Sequence, residues 1–173
     1  MPGPYLLLVI IFIVTSFLRT GYELLKDAGK IDPANKGIFA IIFLDMCALW
    51  VSWFSLCPLD PYIVDLPPAI RWGGLAIVIL GTVVAVGGLL QLKGLEKIDH
   101  LVTTGLFRKL RHPMYTGFIL WIVGWSLWYG ALMSLAVGLP VLRNILYWRT
   151  LEERRLLSAY GETYAQYRLT TWF

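Results

Sequence analysis

Residues 118–147, FILWIVGWSLWYGALMSLAVGLPVLRNILY, decide how this chain is built. A helix crossing the ~30 Å hydrocarbon core of a bilayer needs ~20 apolar residues, with ~17–25 the usual range. This block is too long for one ordinary span, and Tyr129-Gly130 interrupts it near the middle. It reads as two short helices in a tight hairpin.

Three further apolar blocks precede it, at residues 4–18, 37–57 and 70–92. Hydrophobic residues make up 58% of the 173-residue chain and charged residues only 15%, with a mean hydropathy of +0.67. A soluble domain has roughly 45–50% and about 25%. The composition therefore predicts one all-α integral membrane domain with five transmembrane helices. Residues 1–92 form a three-helix membrane part, and residues 93–173 carry whatever chemistry there is. The N-terminal run lacks a basic flank before it and a small-residue cleavage site after it, so it reads as a short first span.

The charges choose between four and five spans. Of the 15 Lys and Arg residues, only Arg71, at the very start of the third block, falls on the connection between the second and third blocks. Arg19, Lys26, Lys30 and Lys36 follow the first block; Lys93, Lys97, Arg108, Lys109 and Arg111 follow the third; Arg143, Arg149, Arg154, Arg155 and Arg168 lie at or beyond the end of the last. Five spans put all of these on one side, which the positive-inside rule makes cytoplasmic. Four spans would send the C-terminal arginines to the opposite face. The sequence thus predicts an N-terminus outside and a C-terminus inside. The net charge of +4 reflects this topology and does not point to nucleic acid.

Within the third block, RWGGLAIVILGTVVAVGG, the glycines at 73, 74, 81, 87 and 88 let helix backbones approach closely in lipid. Cys47 and Cys57 show no paired or CxxC pattern and read as small apolar residues. Asp45 is a carboxyl inside an apolar block, a placement that suits a functional group or a position near the bilayer surface.

A water-accessible site must be assembled from the loops and the tail. The stretch RKLRHPMYTGF at 108–118 sets basic residues before a proline. Pro113 suits a first helical turn, which leaves N–H groups of the next turn facing the loop. With Arg111 beside it, such a helix start suits a carboxylate or phosphate. Gly105 marks a turn that folds the preceding residues back over it. On these features alone, a plain basic flank and a binding site remain equally open. In the tail, Arg149 and Glu153 share a helix face, with Glu152 beside them. Leu156, Tyr160, Tyr164 and Tyr167 continue as an apolar stripe suited to the membrane surface. An amphipathic surface helix explains that pattern as well.

Some chemistries fit poorly. His100 and His112 are the two histidines, and no neighbouring cysteines or carboxylates complete a metal set with them. No GxGxxG, GxxxxGK[ST] or GxSxG motif occurs.

Taken together, LVTTGLFRKLRHPMYTG and EERRLLSAYGETYAQY resemble the integral-membrane methyltransferases, the group of isoprenylcysteine carboxyl methyltransferases and phospholipid N-methyltransferases. The resemblance spans residues 99–167 and lies in the order of its parts: LVTxG, RHPxYxG, a helical hairpin, then an acidic pair. It implies S-adenosylmethionine as cofactor, a lipophilic acceptor among membrane lipids, and a cytoplasmic-face site without metal. By position it implies that His100, Leu101, Val102, Gly105, Phe107, Arg111, His112, Tyr115 and Glu152 bind the cofactor. Glu153 and Arg149 fall where the catalytic residues are expected.

Three positions depart from the family pattern. Asp99 stands where many relatives have histidine, Leu106-Phe107 replaces Pro-Tyr, and Trp148 occupies the usual arginine position, one place before Arg149. The membrane sterol and steroid reductases, which use NADPH, share an RHPxYxG-like motif. They typically carry Asn and an acidic residue where Met114 and Phe118 stand here. A non-catalytic membrane partner protein is the third reading.

Overall fold

The computed structural model describes residues 3–92 and 101–173, so the expectations placed on Lys93, Lys97, Asp99 and His100 fall outside the described residues. The described residues form five α-helices: α1 Gly3–Asp27, α2 Lys36–Leu56, α3 Pro68–Leu92, α4 Pro113–Tyr129 and α5 Leu132–Thr170. Three segments, Gly3–Asp27, Lys36–Leu59 and Pro68–Leu92, are long and apolar enough to cross a membrane. Large apolar side chains such as Phe17, Ile41, Leu44, Val83 and Leu90 are mostly exposed. A lipid-facing surface requires that arrangement, and a water-facing one does not tolerate it well.

The hairpin breaks where the sequence places it. α4 ends on Gly130 in the left-handed conformation, φ 68°, and a Cβ there would collide with the backbone oxygen of Val64. Only glycine fits both constraints. The outer limits differ from the apolar block. α4 starts at Pro113, and α5 continues from the apolar block into the tail as far as Gly161. Apolar patterning marks what lipid covers, whereas a helix stops only at a breaker, and residues 148–160 contain no glycine or proline.

Gly161 supplies that breaker. Its φ of 50° and ψ of −125° bend α5 and fold the last turns over the 105–108 turn. Tyr164 is fully buried, and the Tyr167 hydroxyl donates to the Phe107 backbone oxygen at 2.6 Å. The tyrosine stripe expected on the membrane surface is therefore divided, with Tyr164 and Tyr167 packed inward.

α3 and α4 run antiparallel with backbones in contact. A Cβ built on Gly117 would lie 2.5 Å from Gly81 O, and one on Gly124 would lie 2.7 Å from Gly74 O. Gly88 packs against Pro113. α2 joins α4 through an aromatic cluster in which Trp50 meets Phe118 and Trp121, and Phe54 meets Trp121 and Trp125. Phe12, Leu49, Trp53, Ile122, Val141, Ile145 and Trp148 fill the fully buried centre. α1 is tied to α5 by Asn144 Nδ2 to Ser16 Oγ and by Trp148 Nε1 to Thr20 Oγ1, both 2.8 Å.

At the end of the bundle remote from the RHP loop, buried Asp60 gathers the chain. Its Oδ2 accepts from Ser134 N at 2.5 Å and Ser134 Oγ at 2.6 Å, and its Oδ1 accepts from Tyr62 N at 2.7 Å. Val64 N–H donates to Gly130 O at 2.8 Å beside it. Both cysteines are free, Cys57 buried and Cys47 exposed.

Candidate active site

The site forms where the start of α4 meets the middle of α5. Pro113 opens α4, which holds the preceding His112 against the facing helix. His112 is 3% exposed. Its Nε2 lies 3.2 Å from Glu153 Oε1 and its Nδ1 3.7 Å from Glu152 Oε2. Glu153 Oε1 also accepts from Arg111 Nε at 3.2 Å and Arg149 Nε at 3.3 Å. The Tyr115 hydroxyl is close enough to the Glu152 carboxylate to influence its charge, and the Tyr115 ring stacks on the imidazole at 5.6 Å.

These neighbours set the charges. Burial opposes a proton on His112, but the Glu152 and Glu153 carboxylates outweigh it and raise the imidazole above its ordinary value. Burial resists the Glu152 carboxylate, yet His112 and Tyr115 bring it down to about 2. For Glu153 the His112 hydrogen bond comes first, with Arg149 and Arg111 adding to it, and the result is again about 2.

The sign of the pH dependence follows from these shifts. The raised histidine stabilises the fold fully below its ordinary 6.5, and this is lost as pH rises through the folded value. The lowered carboxylates stabilise above their ordinary 4.5 and lose this as pH falls toward about 2. Melting temperature in detergent is therefore expected to peak between these limits. His112→Gln should flatten the alkaline limb, and Glu153→Gln the acid limb. Unchanged limbs in both variants would mean that the cluster does not couple to folding.

Arg111 is engaged on all sides. Its Nη1 donates to Arg168 O at 3.2 Å, Thr171 O at 2.8 Å and Thr171 Oγ1 at 3.2 Å. Its backbone N–H reaches the backbone oxygens of Trp172 and Phe173, both at 3.0 Å. Trp172 N–H donates to Lys109 O at 2.7 Å, and the Phe173 ring lies under the Arg149 guanidinium at 4.6 Å. Residues 171–173 thus run along the RHP loop and cover the Arg111, His112 and Arg149 side of the cluster. The Tyr164 hydroxyl, buried nearby, has no hydrogen-bond partner among the described residues.

His112, Tyr115 and Glu152 also border a cavity of about 720 Å³ that passes between α2 and α3, within the usual size of small-molecule sites. Its walls are mainly apolar, with Phe39, Phe43, Met46 and Trp50 of α2 facing Ala85, Val86 and Leu89 of α3. Phe107 and Arg111 line it too; Leu101, Val102, Gly105, Arg149 and Glu153 are not among its lining residues. Leu101 and Val102 are half-buried in the run leading to Gly105. Gly105 has φ 60° and packs on Gln91, whose Oε1 accepts from Leu106 N at 2.9 Å.

Sequence reasoning passed over Arg19, Glu23 and Lys26 of α1, which line the same cavity. The spacing of Arg19 and Glu23, four residues apart just after an apolar block, was the available signal. Nothing in the sequence marked residues 171–173.

Residues 70–163, more than half of the chain, match the family model of the phospholipid methyltransferases. The chain belongs to that family. The match holds α3, the RHP loop, α4 and the acidic pair of α5, and so includes the residues that build the cluster. With its long apolar helices, this phospholipid methyltransferase family member is an integral membrane protein. Among curated relatives, it is 40% identical over 72 residues to the protein-S-isoprenylcysteine O-methyltransferase of Schizosaccharomyces pombe, covering 40% of this chain and 30% of that protein. It is 32% identical over 77 residues to the chloroplastic 15-cis-zeta-carotene isomerase of Zea mays, covering 44% of this chain and 21% of that one. The Arabidopsis thaliana isomerase is 31% identical over 84 residues, 48% of this chain and 23% of its own length. The chain thus matches less than a third of each relative's length. No solved structure matches.

Proposed function

We propose that the protein transfers a methyl group from S-adenosylmethionine to a carboxylate or amine on a lipophilic acceptor that reaches the site from the bilayer. One observation carries the reading. A buried charged pole, His112 with Glu152, opens into a mainly apolar cavity walled by two lipid-exposed helices. A polar donor and a hydrophobic acceptor can meet there without either crossing a hostile medium. Family membership supports the reaction class. The isoprenylcysteine and the zeta-carotene named for the relatives are both hydrophobic.

In this reading five helices span the bilayer, with the N-terminus outside and the site at the cytoplasmic face, as the basic residues favour. The residues present suit the donor. Glu152 offers acceptors for hydroxyl or amino groups, His112 offers a proton, and the Phe107, Tyr115 and Trp50 rings border the same space. Aromatic faces attract a sulfonium cation. Leu101, Val102 and Gly105 shape the adjoining loop. The Arg111 contacts to residues 168 and 171–173 would loosen if it were to take the donor carboxylate.

When bound, the donor supplies a methyl group activated on positive sulfur, which moves in an in-line displacement. The protein's part is to align the two partners and keep water out, the kind of positioning that supplies much of a rate enhancement. Glu153, fixed by His112, Arg111 and Arg149, holds that geometry, and Arg149 acts through its bond to Glu153.

The test is incubation of purified protein with labelled methyl donor and a native membrane extract. Label is expected in the organic-soluble fraction, and S-adenosylhomocysteine should suppress it. No lipid labelling, together with tight NADPH binding, would favour a reductase instead.

A further inference from the structure

The cavity has a second charged pole, built by α1 and α5 rather than by the RHP loop. Glu23 is 1% exposed, and each of its oxygens holds one guanidinium. Arg19 Nη2 lies 2.6 Å from Oε1 and Arg155 Nη2 2.6 Å from Oε2. The Arg19 guanidinium also lies over the rings of Tyr22 at 4.9 Å and Trp148 at 5.7 Å. Lys26, Arg19, Glu23 and Arg155 all line the cavity. Three cations against one carboxylate leave this wall positive. Of the further acids, Glu152 lies within the field of Lys26 and Asp45 within that of Arg19, and Asp27 follows Lys26 at the end of α1. Glu152 is already held by His112 and Tyr115.

A salt bridge that only fastened α1 to α5 would need one arginine. Here a second guanidinium shares the carboxylate, and Arg155 Nη1 is buried without a hydrogen-bond partner among the described residues. A buried N–H without an acceptor is costly, so the arrangement is suited to an acceptor brought by a ligand. Paired, pre-oriented guanidiniums recognise the oxygens of carboxylates and phosphates. Beyond them the cavity continues along Phe39, Phe43, Met46 and Leu89, which suits a hydrocarbon chain.

We propose that Arg19 and Arg155, braced by Glu23, bind the acidic head group, phosphate or carboxylate, of an amphiphile whose chain lies between α2 and α3. The acceptor of the proposed methyl transfer is then an anionic lipid-like molecule. That last step rests on the methyltransferase reading; the binding site itself does not.

The experiment is binding of dodecyl phosphate, dodecanoate, dodecanol and dodecyltrimethylammonium to the full chain in maltoside micelles, followed by quenching of tryptophan fluorescence. At least one acid is expected to bind tenfold or more tightly than the alcohol and the cation, and the tighter of the two acids identifies the head group. Arg155→Gln and Arg19→Gln should remove that preference, and Arg155→Lys should restore part of it. Should Arg155→Gln fail to fold, the Glu23→Gln/Arg155→Gln pair removes the orphaned carboxylate and gives the same readout. Equal binding of all four amphiphiles, or a preference that survives loss of either arginine, overturns the proposal. S-adenosylhomocysteine affinity is measured on the same samples. Its absence beside an intact acid preference would defeat the methyltransferase reading and leave this site standing.

Discussion

Changing His112 to alanine is expected to weaken S-adenosylhomocysteine binding at least tenfold, about 1.4 kcal/mol. Turnover should fall about a hundredfold, the lower range for a positioned proton donor or electrostatic group. The imidazole lies between two carboxylates and is the buried cation that holds both near 2. Without it, Glu152 loses its nearest positive partner while remaining beside the cavity. Like charges then push at least one carboxyl toward its neutral form. The charge pattern that would orient the donor is lost with the side chain. His112→Gln retains a hydrogen-bond donor and should recover part of the affinity but not the pH dependence. Calorimetry on both variants, with melting temperature in parallel, decides the matter. Unchanged affinity with a lowered melting temperature would make His112 a structural pin.

Gly117→Val is expected to cost the protein most of its folded population. A Cβ at this position would already meet the Gly81 carbonyl oxygen at 2.5 Å and the Ala85 side chain at 2.6 Å. Overpacking typically costs about 1–3 kcal/mol where side chains can yield. Here the obstacle includes backbone, so α3 and α4 must separate along their length. Gly124→Val should behave alike, since Gly74 O stands 2.7 Å from its Cβ position. Gly73 is the control: nothing lies within 4 Å, and Gly73→Ala should be neutral or stabilising by about 0.4–1 kcal/mol. Fluorescence-detected size exclusion and thermal melting would show the contrast. A well-folded Gly117→Val protein would mean that the α3–α4 seam is looser than these distances describe.

The hairpin at Tyr129-Gly130 and the start of α4 at Pro113 were legible because glycine and proline impose backbone rules that hold in any surroundings. The pairing of His112 with the acidic residues of α5 was legible only through a family pattern, since forty-odd residues separate them and no periodicity links them. The course of α5 beyond the apolar block was not legible. Its apolar tyrosines fit a lipid surface and a protein surface equally, and the Gly161 bend selected the protein. Arg19 shows the same difficulty. A basic residue after an apolar block satisfies topology; its spacing to Glu23 signals a pair, but nothing local reveals the distant Arg155 or the cavity that all three line. Tertiary contacts between helices far apart in sequence carry that information.

The Asp60 clasp gives the bundle unequal ends. On its side, a buried carboxylate locks the 60–64 loop to the start of α5, and the Tyr5 hydroxyl reaches Ser134 Oγ at 3.3 Å there. On the other side, α2 and α3 stand apart around the cavity. The clasp therefore fixes the chain between α2 and α3 at one end, while toward the other end the two helices diverge around the cavity and α3 stays seated on α4, with Gly88 against Pro113.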